Sequence, residues 1–184
     1  MTPRLRKLAL TAHLTSSVGW LGADVGFLAL AIAGLVSQDA WMVRAAYLAM
    51  ELIGLFIIIP LSFAALLTGL VLALGTPWGL FRHYWILVKF LLTTGATIVL
   101  VLHTNAMQEA ASRVSVAAET LSSLKIHLSA SGAGGHLGDV QIQLVVAAGA
   151  ALLVLLTTTT LGVYKPRGMT PYGRRKYHEQ RRLS

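Results

Sequence analysis

The chain has 184 residues, of which 55% are hydrophobic and only 12% are charged, and its mean hydropathy is +0.69. This composition is too apolar and too weakly charged for an ordinary soluble domain. The chain contains no cysteine, which excludes disulfides, thiolate metal sites and covalent c-type haem attachment.

Four stretches are long and apolar enough to cross a bilayer, which takes about 20 mostly apolar residues. They cover about residues 8–36, 44–74, 82–104 and 139–163. The sequence therefore predicts an all-α fold, an integral membrane four-helix bundle formed by residues 1–164. Within it, residues 105–138 form an external segment, whose apolar periodicity predicts an amphipathic helix between the third and fourth helices. Residues 165–184 form a basic tail.

The net charge of +8 is explained by membrane topology. Basic residues precede the first stretch, separate the second from the third, and follow the fourth: Arg4, Arg6, Lys7, Arg82, Lys165, Arg167, Arg174, Arg175, Lys176, Arg181 and Arg182. The positive-inside rule then places both termini in the cytoplasm. The tail suits anionic lipid headgroups, so the charge does not indicate nucleic-acid binding.

The first stretch carries a polar and aromatic stripe at helical spacing. Its members are His13, Ser17, Trp20, Asp24 and Phe27. Steps of three and four residues keep side chains on one helix face, so we expect this stripe to face the bundle interior. Gly22 and Gly26 predict close approach of another helix. The small residues of the first and fourth helices would serve a homo-oligomer as well as packing within the monomer.

The second and third stretches contain the other ionisable residues at membrane depth. Glu51 and Pro60 lie in the second stretch, and Pro60 predicts a kink because it lacks a backbone N–H. The third stretch has Trp85 and Lys89 on one ridge, with His103 near its outer end. Ionisable groups inside a membrane are costly and by default indicate a functional site.

Position along each helix converts into depth in the membrane. His13 and Lys89 each lie roughly 8–10 Å from the cytoplasmic ends of helices that run in the same direction. We therefore expect them to face each other across the inner half of the bundle. His103 lies about 21 Å further out than Lys89, where it would form a separate outer group with Asp24 and Glu51.

Each of these residues has a structural alternative. His13 is either an axial haem ligand or a buried histidine bonded to a neighbouring helix. Lys89 is either part of the same site or extends to the headgroups, as lysines near helix ends do. Asp24 and Glu51 either handle protons or make structural bonds. His103 is either a ligand of a second haem or an interfacial histidine bonded to water.

Two short motifs resemble known membrane families. His13-Leu14 followed by Trp20-Leu21-Gly22 resembles the first-helix pattern of the HemJ-type protoporphyrinogen oxidases, and the segment 84–90 is similar to their W-L-H-x-K-L motif. The segment 75–80, together with the later Lys89, is also similar to a motif in the membrane domains of copper-resistance D proteins. The sequence departs from the first family at Leu87, where that motif has a histidine, and in the position of His103.

The resemblance implies a bacterial inner-membrane protein that holds haem b, one group or two, and transfers electrons to or from a quinone, an oxygen species or a porphyrin. His13 and Lys89 match the family's ligand positions. Trp20 and Trp85 would pack on the macrocycle, and Arg82 would pair with propionates. If the chain is an enzyme, it is a haem-dependent oxidoreductase. The alternatives are a copper-handling membrane protein and a structural membrane subunit without a cofactor.

Overall fold

A computed structural model describes residues 1–75, 80–102, 134–164 and 168–182, with backbone alone for 134–141 and 177–182. The described elements are helices, and we number them in chain order. They are α1 (Pro3–Val36), α2 (Ala40–Ile53), a π-helical turn (Gly54–Ile58), α3 (Ile59–Gly75), α4 (Tyr84–Leu102), α5 (Gly134–Tyr164) and α6 (Pro171–Arg182).

The described residues confirm the predicted all-α architecture, with four helices that are long and apolar enough to cross a membrane. By length and composition, α1, the continuous helix Ala40–Gly75, α4 and α5 can each cross a membrane. Helix α5, which contains the fourth candidate span, begins at Gly134, so residues 134–138, predicted as part of the external segment, are helical. His103 and residues 105–133 of that segment lie outside the described residues. The cytoplasmic placement of the termini stays a prediction.

Local sequence signals set where the first two helices begin. The Thr2 side chain accepts a bond from the Leu5 amide at 3.4 Å, and Pro3 takes the first helical position, where proline loses no bond. The Asp39 carboxylate accepts the Trp41 amide at 3.0 Å and caps α2. Only residues 37–39 separate the two helices, so α1 and α2 run antiparallel.

Helix α1 is central to the bundle, because it packs against α2, α3 and α5. The buried apolar core forms around it from Trp20, Phe27, Ala31, Tyr47, Met50, Ile58, Ala65, Leu144, Ala148 and Leu155. Trp20, Asp24 and Phe27 are all buried, which confirms that the polar and aromatic stripe faces the interior. Large apolar side chains elsewhere on the four spans are exposed, as a lipid-facing surface requires.

The close helix approach on α1 occurs at other glycines than those predicted. A Cβ added at Gly22 or Gly26 would meet nothing within 4 Å. A Cβ at Gly19 would lie 3.2 Å from Leu61 Cδ1, and one at Gly34 would lie 3.6 Å from Ala46 Cβ. The four-residue spacing of Gly22 and Gly26 therefore does not predict which face of α1 packs. That face is set by the burial of Trp20 and Asp24.

The π-helical turn lies directly before Pro60. Its last bond joins the Ile59 amide to the Gly54 carbonyl, five residues back. A π-turn adds one residue to a helix, and here it precedes the position where Pro60 cannot donate. The disturbance predicted from Pro60 therefore takes the form of a widened turn on its N-terminal side.

The basic tail contains a helix, α6, that docks onto the segment before α4. The Thr170 amide donates to the Arg82 carbonyl at 3.0 Å, and the Thr170 hydroxyl donates to the Phe81 carbonyl. The same hydroxyl accepts the Gly173 amide at 3.0 Å, which caps α6. Gly173 is buried against the Arg82 backbone, where an added Cβ would overlap the Arg82 carbonyl.

We expect Gly173→Val to release α6 from this contact, because the overlap is with backbone and no side-chain rotation relieves it. Limited trypsin digestion should then cleave after Arg174 and Arg175 at least tenfold faster than in the unmodified protein. Gly168→Val is the matched control, since a Cβ there would lie 3.9 Å from Tyr84 Cδ2, an ordinary contact. Equal cleavage rates in the two variants would contradict the docking.

Candidate ligand-binding cavity

A cavity of about 310 Å³ lies between α1, α3, α4 and α5. This volume is at the lower end of the range for small-molecule sites, and the cavity is only partly enclosed. Its polar lining consists of Arg6, His13, Lys89 and Thr93. The remainder is apolar: Leu10, Ala65, Leu66, Gly69, Leu72, Ala73, Leu80, Trp85, Ile86, Phe90 and Gly162. His13 and Lys89, 76 positions apart in the chain, thus share one cavity.

Helix α3 fixes the ring of His13. The Nδ1 atom lies 3.0 Å from the Ala65 carbonyl oxygen and 3.1 Å from the Thr68 hydroxyl. A carbonyl oxygen can only accept, so we assign the proton to Nδ1. The Thr68 hydroxyl donates to the Ala64 carbonyl, which turns its lone pairs toward the ring. This tautomer leaves the Nε2 lone pair available, and no described residue donates to it.

The ring of His13 also packs closely on α3. A Cβ at Gly69 would lie 3.0 Å from His13 Cε1, a separation that leaves no room for a side chain. The three α3 positions that touch the imidazole are therefore a carbonyl, a hydroxyl and a glycine, at Ala65, Thr68 and Gly69. Together they hold the ring in one orientation at the cavity wall.

Lys89 is half-buried, and its ammonium lies beside α5. A Cβ at Gly162 would be 3.1 Å from Lys89 Nζ. Gly162 is two residues from the end of α5 at Tyr164, so the ammonium leans toward the end of the bundle that holds the N-terminus of α1 and the start of α4. Lys89 therefore both lines the cavity and approaches its mouth.

The structure distributes the other predicted site residues differently. Trp85 lines the cavity, whereas Trp20 lies in the apolar core. Arg82 is outside the cavity lining, at the contact with α6. Arg6 lines the cavity instead, although the sequence suggested only a topological role for it. Its spacing of seven residues from His13 places both on one face of α1, which is a signal the sequence contained.

The two membrane carboxylates do not belong to the cavity. Asp24 is 4% exposed, and its Oδ2 is buried without a hydrogen-bond partner. Glu51 is half-buried on α2. Within the described ranges, no three His, Asp or Glu side chains converge as metal ligands would. His103, the third member of the predicted outer group, is outside these ranges.

Comparison of the chain with protein-family models, curated proteins and solved structures gives no match. The likeness to HemJ-type and copper-resistance D proteins rests on the short motifs alone. Functional assignment therefore depends on the chemistry of the cavity.

Proposed function

We propose that this chain is a haem b-binding integral membrane redox protein, and that the haem occupies the cavity between α1, α3, α4 and α5. The observation that carries the proposal is the state of His13. Its Nδ1 is bonded to a backbone carbonyl, which leaves the Nε2 lone pair unused by any described residue, and its side chain lines a largely apolar cavity together with Arg6 and Lys89. Haem bound there would supply one-electron redox chemistry.

The bonds of His13 suit a residue that would hold the haem iron. A ligating imidazole almost always donates its other N–H to a carbonyl or carboxylate, which fixes the tautomer and makes the ligand more basic. The His13–Ala65 bond at 3.0 Å is of this kind. The close contact at Gly69 limits rotation of the ring, so the Nε2 lone pair keeps a constant direction.

The charges at the cavity fit the propionate edge of haem. Arg6 and Lys89 are both cationic, and among the described residues no carboxylate lines the cavity to balance them. Charge-assisted bonds to carboxylates are the strong ones, and arginine can make them bidentate. Arg6 is exposed and suits the open mouth. Because the Lys89 ammonium leans toward Gly162, we favour a role for Lys89 as a carboxylate partner over that of a second axial ligand.

The apolar lining fits a flat macrocycle. Trp85 and Phe90 offer aromatic surface, and Leu10, Leu66 and Leu80 offer aliphatic surface. Aromatic rings stack on planar groups in offset arrangements. A cavity of about 310 Å³ that is partly open would let the polar edge of the group project at the mouth beside Arg6. The redox partner in this proposal is a quinone, an oxygen species or a porphyrin.

The alternative functions make different demands on the same residues. Copper handling requires soft ligands or several imidazoles, and the cavity offers one imidazole with an amine and a guanidinium. A structural subunit without cofactor would use His13 only as a bond between α1 and α3. That role needs the bonds to Ala65 and Thr68 but does not require two cations at an apolar cavity.

A reduced-minus-oxidised visible spectrum of the full-length protein, purified from cells supplied with haem, tests the proposal. We expect a Soret band and an α-band that sharpens on reduction, with about one haem per chain by pyridine haemochrome assay. Absence of a Soret band in folded protein would overturn the proposal. Copper found in its place by elemental analysis would favour the metal-handling alternative.

A further inference from the structure

A second polar site lies deeper in the bundle, at Asp24. It is on the same helix as His13 and eleven residues beyond it, so about 16 Å further along the α1 axis. The cavity does not reach it. Asp24 is 4% exposed between Trp20 and Phe27 of the apolar core, and Oδ2 has no hydrogen-bond partner. A buried polar atom without a partner calls for an explanation.

The packing of α1 on the second span shows which part of that span is level with Asp24. Gly19 is level with Leu61, and Gly34 is level with Ala46. Because the helices are antiparallel, Asp24, five residues beyond Gly19, is level with position 56. That position is the centre of the π-helical turn Gly54–Ile58, which contacts α1. Within this turn, Gly54 and Ile58 are the buried members.

From the chemistry of proline, we expect the π-helical turn to contain a backbone oxygen without its usual helical bond. Pro60 lacks an N–H, so the carbonyl of Phe56 cannot receive the usual helical bond from four residues ahead. Gly54 adds no side chain between its backbone and α1. Widened turns of this type occur frequently at functional sites. Backbone carbonyls at a break in a membrane helix commonly serve bound ions or protons.

The surroundings of Asp24 offer no counter-charge. On α5, no acidic or basic residue occurs from position 142 to position 164, and on α4 none occurs between Lys89 and Leu102. The titratable groups on α2 are Arg44, Tyr47 and Glu51, and α3 has none. No described residue forms an ion pair with Asp24. A carboxylate ion buried in this way costs several kcal/mol, whereas a neutral acid that donates to a carbonyl costs far less.

We propose that Asp24 and the π-helical turn Gly54–Ile58 form a proton-binding site inside the membrane. The ligand is a single exchangeable proton carried by the Asp24 carboxyl, with backbone carbonyls of the turn as its acceptors. A proton is favoured over a metal cation because the site offers one carboxyl and few further oxygens, whereas hard cations take six or more. This site does not depend on the occupant of the cavity.

Infrared spectroscopy of the purified protein in lipid nanodiscs tests this inference, with spectra compared between H₂O and D₂O and between the unmodified protein and its variants. We expect the unmodified protein at neutral pH to show the carbonyl stretching band of a protonated carboxylic acid. This band should shift to lower frequency in D₂O, which shows that the proton exchanges. It should be lost in Asp24→Asn and retained in Asp24→Glu. Asp39→Asn is the matched control, because Asp39 is an exposed helix cap, and it should leave the band unchanged.

Three results would overturn the inference. The first is a spectrum of the unmodified protein without the band. The second is an identical band in Asp24→Asn. The third is loss of the band on addition of Na⁺ at constant pH, since that would show a cation in place of the proton. Because the first and third results come from the unmodified protein, the test holds even if a variant fails to fold.

Discussion

Replacement of His13 by alanine should abolish haem binding. His13 supplies an imidazole at the cavity, and its removal leaves no described residue there with a comparable nitrogen lone pair. We expect the Soret band of the purified variant to fall to background, below a tenth of that of the unmodified protein. Circular dichroism and gel filtration should remain unchanged, because His13 is only half-buried and its loss leaves the core around Trp20 intact.

His83→Ala is the control for this experiment. His83 is half-buried at the start of α4 and lies outside the cavity lining, so its loss should leave the Soret band at full height. A band of equal height in the His13→Ala and unmodified proteins would disprove the ligand assignment, although not haem binding itself.

Lys89→Met separates the two roles of Lys89. If the ammonium pairs with a carboxylate, the spectrum keeps its shape and the affinity for haem falls. If Lys89 is the second axial ligand, the spectrum changes to that of a five-coordinate or a newly ligated iron. The lean of Nζ toward Gly162 leads us to expect the first result.

Replacement of Gly69 by alanine should weaken haem binding by 10-fold to 100-fold. The added Cβ would lie 3.0 Å from His13 Cε1, so we expect the ring to shift by a few tenths of an ångström and to disturb its 3.0 Å bond to the Ala65 carbonyl. Disturbing the bond that orients a metal-ligating histidine typically costs roughly 10–100-fold in affinity. Titration of the haem-free protein with haem measures the dissociation constant directly.

Gly149→Ala is the matched control for Gly69→Ala. It makes the same chemical change in a membrane helix, but its Cβ would meet nothing within 4 Å. Its dissociation constant should equal that of the unmodified protein within about twofold. Equal weakening by both variants would point to a general effect on the bundle and would contradict a specific contact at His13.

Sequence reasoning reached the fold because membrane crossing depends on length and hydropathy, which are local properties. The same holds for depth: counting residues from the helix ends put His13 and Lys89 at one level, and they do line one cavity. Rotation about the helix axis is harder to predict. Gly22 and Gly26 have the spacing of a packing motif but lie away from the neighbouring helices, while Gly19 and Gly34 make the contacts.

The sequence predicted some of the residues that line the cavity and missed others, for a related reason. Trp85 and Lys89 share a ridge on α4, and spacing alone shows this. Arg6 was assigned to topology because a basic residue before a membrane helix has an evident role there. The helix begins at Pro3, however, so Arg6 is already helical and faces the same way as His13. The π-helical turn has no reliable sequence signal beyond the proline that follows it.

That turn also determines the rotational phase of everything after it. One added residue rotates the remainder of the second span by about 100° relative to an uninterrupted α-helix. Ala65, Thr68 and Gly69, the three positions that hold the His13 ring, all come after it. If the same residues formed a regular α-helix from Gly54 to Ile58, these positions would turn away from α1, although the composition and hydropathy of the span would be unchanged. The geometry of the cavity thus depends on the π-helical turn, which lies about ten residues earlier in the chain.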